Sequence, residues 1–177
     1  MRTCNQELRL PAILRTSPFL DLFSFSLSKS CGGQLDYLLT KAVEAQELPK
    51  LSFAGASPTT TYLIVSLDID APFPAFAILS PILHWIQSDV KVTSDATLKF
   101  DQPFVADYLS PAPPPISAPH RYLFFLYEQP ERLNFTAYAP AGGNNISMLN
   151  RIRYDLDAWA EEIELGPPVA FNYFTCN

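Results

Sequence analysis

"TYLIVSLDIDAP", residues 61–72, reads as the strongest strand in the chain. Successive side chains of a strand point to opposite faces, so Leu63, Val65, Leu67 and Ile69 fall on one side. Tyr62, Ile64, Ser66, Asp68 and Asp70 fall on the other. Both sides are apolar until the two carboxylates, which lie about 6.6 Å apart at ~3.3 Å per residue. A carboxylate at the end of so apolar a strand needs partners, because burying it bare is costly. Either it caps the loop entered at Ala71-Pro72 by accepting backbone N–H groups, or it belongs to a site.

Further strands are expected on both sides of this one. "ILHWIQSDV" (82–90) and "RYLFFLYEQ" (121–129) are apolar runs bounded by prolines or polar turns. "FLDLFSFSLS" (19–28), "LSF" (51–53) and "FNYFTC" (171–176) are shorter ones. "DLDAWAEEIELG" (155–166) departs from the pattern. Leu156, Trp159 and Ile163 recur at helical spacing, Asp155 or Asp157 can serve as N-cap, and Gly166 as the stop. Seventeen prolines punctuate the apolar runs, as expected for a strand-and-loop fold. No repeat or interdomain linker interrupts the chain, so residues 1–177 are expected to form one domain, with 1–18 a loose leading segment.

Composition narrows the function. Net charge is −6 with no Lys/Arg cluster, which argues against a nucleic-acid partner or an anionic membrane surface. No apolar run approaches the roughly 18 residues of a membrane span. Cys4, Cys31 and Cys176 are odd in number and lack C-x-x-C spacing, so free thiols in a reducing, cytoplasmic setting are expected.

The chain has two histidines, each beside aromatic residues in an expected strand. His84 precedes Trp85. His120 precedes Arg121 and Tyr122, so His120 and Tyr122 share a face and Arg121 takes the other. In front of His120 runs "SPAPPPISAP" (110–119), with five prolines between Pro111 and Pro119. Such a segment loses little entropy on ordering. It can hold His120 and Tyr122 at a fixed rim, with Arg121 in a structural ion pair.

Four motifs in series, "DIDAP" (68–72), "LHW" (83–85), "SPAPPPISAPHRYLFFLYEQ" (110–129) and "LGPPVAFNYF" (165–174), resemble the marks of the phosphatidylethanolamine-binding protein family. The resemblance implies an antiparallel β-sandwich with a small ligand pocket at one end. It implies that Asp68, Pro72, His84, His120 and Tyr122 line that pocket and bind phosphate, phosphoryl headgroups or carboxylates. Because the family bends sharply there, Ala71–Pro72 is a candidate cis bond. The chain departs from the family pattern at Ile69, which replaces a proline. It departs again at Ser110, Ala112, Ile116 and Ala118, which stand where the family has glycines. The wall is therefore stiffer and more apolar than a glycine loop.

Fungal relatives accompany pathways that couple maleic anhydride units into maleidrides. The resemblance thus implies a small anionic metabolite, of carboxylate or anhydride type, as ligand, and another protein of the same pathway as partner. In a catalytic reading His84, His120, Asp68 and Tyr122 do the chemistry, one histidine as general base and the other with Tyr122 stabilising an enolate-like anion. The alternative is a non-catalytic binder of phosphoryl groups or phospholipid that regulates a kinase or peptidase. Two histidines and an aspartate also match the composition of a non-haem iron triad. The usual close His-x-Asp pair is missing, so neither metal nor cofactor is expected.

Overall fold

The computed structural model describes residues 21–22, 24–26, 39–40, 45–131, 134 and 145–177. Cys4, Cys31, the expected leading segment 1–18 and parts of the expected strand 19–28 lie outside them. The described strands are β1 (Asp21–Leu22), β2 (Ser24–Ser26), β3 (Leu39–Thr40), β4 (Lys50–Ser52) and β5 (Tyr62–Asp68). They continue as β6 (Ile82–Val92), β7 (Leu98–Lys99), β8 (His120–Glu128) and β9 (Ala170–Cys176). Among the described residues one helix, α1 (Leu156–Glu162), and a 3-10 turn (Met148–Asn150) accompany these strands.

The main sheet runs β1-β9-β8-β5-β6-β7, and β2 pairs with β4 in a second, small sheet. The central pairings β6/β5, β5/β8 and β8/β9 are antiparallel. At the margin β1 and β3 join β9 in parallel. The strand-dominated antiparallel fold with one short helix near the C-terminus is thus the one the sequence implies.

The two parities of β5 explain how the sheet is covered. Leu63, Val65 and Leu67 pack with Leu156, Ala160 and Ile163 from the helical segment. Tyr62 and Ile64 pack on the other face with Leu51 of β4, Leu98 of β7 and Phe124 of β8. Every residue of β5 is buried. Each fully buried leucine or isoleucine there contributes about 1.5–3 kcal/mol relative to exposure.

In β6 a bulge breaks the alternation. Leu67 of β5 faces Leu83, and the next residue back, Ser66, faces Trp85. His84 is the extra residue between them. As a result Leu83 and Trp85, two apart in sequence, enter opposite cores. Bulges of this kind re-aim a side chain.

Asp155 is the N-cap of α1, its carboxylate accepting from the Ala158 amide. The helix stops earlier than Gly166. Glu164 takes the left-handed conformation at φ 53°, Glu164 N–H donates to Glu161 O, and Leu165 N–H donates to Ala160 O. That is the Schellman pattern, with glutamate where glycine is usual. A left-handed non-glycine residue costs about 1–2 kcal/mol. Glu164→Gly should therefore raise stability by up to about 1 kcal/mol, read as a higher melting temperature; an unchanged or lower one contradicts this account of the helix end.

Ala71–Pro72 and Ser80–Pro81 are cis peptide bonds. No helix among the described residues is long and apolar enough to cross a membrane.

Candidate functional site

Antiparallel pairing brings one end of β5 against the starts of β6 and β8. Asp68 lies opposite Ile82 on one side and Tyr122 on the other. His120 opens β8, and His84 sits at the bulge near the start of β6. Asp68, Pro72, His84, His120 and Tyr122 therefore line a single cavity of about 280 Å³. All five expected site residues come together. Ala71, Leu79, Ile82, Leu109, Ala112, Pro114 and Met148 supply its apolar walls.

Asp68 acts in two ways. Oδ1 accepts the backbone N–H of Asp70 at 2.8 Å, which caps the loop. Oδ2 accepts from Nδ1 of His120, also at 2.8 Å, with both side chains almost wholly buried. Nε2 of His120 lies 3.1 Å from the Pro72 carbonyl and 2.9 Å from Ser117 Oγ. A carbonyl only accepts, so the Pro72 contact favours a proton on Nε2, and the carboxylate favours one on Nδ1. The arrangement thus favours the imidazolium form of His120, which ties three segments together. Burial pulls its pKa down, but the Asp68 hydrogen bond and charge, with the Pro72 carbonyl, hold it above the ordinary histidine value.

His84 is in the opposite state. Nδ1–H donates to the Leu109 carbonyl at 2.6 Å, and the Leu109 amide returns a bond to the His84 carbonyl at 2.7 Å. Nε2 has no hydrogen-bond partner among the described residues. Burial pushes the His84 pKa below the ordinary value, against the pull of the Leu109 carbonyl and Asp68. A neutral imidazole in a fixed tautomer thus offers a lone pair at the cavity.

Tyr122 stands between the two histidines. Its ring meets His84 edge-on at 5.0 Å and stacks on His120 at 6.4 Å and on Phe174 at 5.3 Å. Burial raises the pKa of its hydroxyl, and the Asp68 charge adds to that. It remains a donor throughout the neutral range.

Asp70 leaves the alternation of β5, which ends at Asp68. Its carboxylate receives Nε, Nη2 and the backbone N–H of Arg121 at 2.7, 2.6 and 2.8 Å. Arg121 therefore forms an ion pair outside the cavity, pinning the turn after β5 to the start of β8. Arg121→Ala should cost about 1.5–3 kcal/mol of stability, the range for hydrogen bonds to a charged group, with little loss of ligand binding. Chemical denaturation beside a ligand titration separates the two; abolished binding at normal stability would contradict this role.

Sequence reasoning missed Arg151, which is fully buried. Its guanidinium donates to the carbonyls of Leu83, Asp107 and Ile146 and pairs with the Asp107 carboxylate. It locks the segment carrying Met148 beside His84. The signal was faint: an arginine within "ISMLNRIRY" (146–154) and a distant aspartate in "VADYL" (105–109). Ser117 and Leu109, which hold the two imidazoles, were missed too. Among the described residues no group of three metal-ligating side chains comes together.

The chain belongs to the phosphatidylethanolamine-binding protein family, whose model matches residues 26–174. CEN-like protein 4 of Nicotiana tabacum is 30% identical over 128 residues, covering 72% of this chain and 65% of its own length. The chain thus spans just under two thirds of that relative. Phomoidride biosynthesis cluster protein N of Talaromyces stipitatus is 32% identical over 164 residues, covering 86% of this chain and 80% of its own. A solved phosphatidylethanolamine-binding protein from Plasmodium vivax superposes with a TM-score of 0.61 at 15% identity, covering 94% of this chain and 91% of that one. That likeness bears on the fold alone.

Proposed function

We propose that the chain binds a small carboxylate- or anhydride-type metabolite in this cavity and assists a biosynthetic coupling step of the maleic anhydride kind. The observation that carries the reading is the unpartnered Nε2 of neutral His84 beside the protonated hydroxyl of Tyr122. The lone pair can take a proton from carbon next to a carbonyl, and the hydroxyl can donate to the enolate-like oxygen that forms. The volume of about 280 Å³ falls just below the usual range of about 300–1,000 Å³ for ligand pockets. It suits a small acid with an apolar portion against Leu79, Pro114 and Met148. Similarity to a protein of the phomoidride biosynthesis cluster supports the metabolic setting, and another protein of such a pathway is the proposed partner.

A second reading is a non-catalytic binder of phosphoryl groups or phospholipid that regulates a kinase or peptidase. It is favoured by the state of His120, whose two nitrogens are both committed to protein acceptors, leaving one histidine for chemistry. In either reading Asp68 and His120 position the site, Pro72 forms its wall, and His84 and Tyr122 touch the ligand.

The test is a titration with maleate, hexanoate and inorganic phosphate, followed by a turnover assay with a maleic anhydride substrate. Binding with turnover supports the first reading, and binding without turnover the second. Binding of none of the three probes overturns both.

A further inference from the structure

We propose that the cavity takes up an oxyanion together with one proton, with Nε2 of His84 as the atom that receives the proton and then donates it to the anion. This rests on the anion-binding reading above and concerns a charged carboxylate or phosphate ligand; a neutral anhydride leaves the Nε2 lone pair free for the base role proposed above.

The argument is a census of donors. A buried anion needs a cation or several N–H and O–H groups. Arg121 is committed to Asp70. Arg151 is committed to Asp107 and three carbonyls. Both nitrogens of His120 are committed to Asp68 and Pro72. Of the loop residues that line the cavity, Pro114 carries no N–H, the Ala112 backbone is engaged with the Tyr122 hydroxyl, and neither Ser110 nor Ala112 brings a positive charge. Tyr122 supplies one hydroxyl, which leaves His84 as the cavity group able to become a cationic donor.

The surroundings of His84 set the direction. Asp68 at the end of β5 favours its charging, while Arg151 and His120 oppose it. Tyr122 on β8 meets its ring edge-on, and Asp107 neutralises Arg151 from the opposite loop. With the cavity empty, burial keeps the ring neutral. An anion against Nε2 reverses that balance. The proton comes from solvent, the N–H bond forms at Nε2, and the Nδ1–H bond to Leu109 stays as it is. The ligand keeps its charge and gains a charge-assisted hydrogen bond.

Hexanoate is a suitable probe, since a carboxylate of ordinary pKa, about 4, does not itself titrate near neutrality. Calorimetry at one pH, in two buffers of different ionisation heat, should show close to one proton taken up per hexanoate bound. Affinity should rise about tenfold for each pH unit lowered, until the pKa of His84 in the empty protein is reached. His84→Gln should abolish the uptake. Because the chain has only two histidines, their side-chain nitrogen resonances can be followed without any substitution. His84 should pass from neutral to imidazolium on saturation, while His120 stays imidazolium throughout. Binding without proton uptake, or a His84 that stays neutral in the saturated protein, overturns this inference and leaves the anion reading standing. Absence of binding by both hexanoate and inorganic phosphate overturns both.

Discussion

His120→Ala should lower stability by about 3–5 kcal/mol, the cost of breaking a buried ion pair by removing one partner. The substitution leaves the Asp68 carboxylate, almost wholly buried, without its cation. It also unties Pro72 and Ser117. The effect depends on pH in a definite direction. The folded-state pKa of His120 is raised, so its stabilisation is fully present below the unfolded value of about 6.5 and is lost as pH rises through the folded value. The gap between wild type and His120→Ala should therefore narrow from acid to alkaline pH in denaturation series. His84 has the opposite sign. Its folded pKa is lowered, so it withdraws stability as pH falls through its unfolded value. A gap for His120→Ala that widens toward alkaline pH would contradict the imidazolium state.

The second large effect concerns His84. If the site catalyses the proposed coupling, His84→Ala should lower turnover by roughly 10²–10⁴-fold, the usual share of a general base. If it only binds, the same change should weaken hexanoate binding by about 1.5–3 kcal/mol. Stability should fall far less than for His120→Ala, because only the bond from Nδ1 to Leu109 is lost. Turnover, calorimetric affinity and melting temperature on both variants separate the roles. A His84→Ala protein that binds and turns over normally removes His84 from the site.

The two histidines look alike in the sequence, each in an apolar strand beside aromatics, and resemblance assigns both to one pocket. Their different states come from contacts that strand periodicity does not encode. His84 owes its orientation to a bulge, and one inserted residue leaves no mark on an apolar run such as "ILHWIQ". His120 owes its raised pKa largely to a carboxylate 52 residues away. What was legible depended on alternation. The parities of β5 anticipate its two cores, and the His120–Arg121–Tyr122 alternation anticipates the separate fate of Arg121. Where alternation stops, so does the reading. Asp70 shares a parity with Asp68, yet the strand ends between them and its carboxylate turns to Arg121. The end of the helix was misplaced for a similar reason, since hydrogen bonding holds a left-handed glutamate where glycine would signal the stop.

The most direct test of the proposed site is shift mapping of the backbone amides during titration with hexanoate. The account predicts saturable changes centred on Ala71, Ser110, Ala112, His84 and Tyr122, with the distant ends of β5 and β8 unmoved. Changes centred elsewhere, or none at millimolar hexanoate, would contradict it.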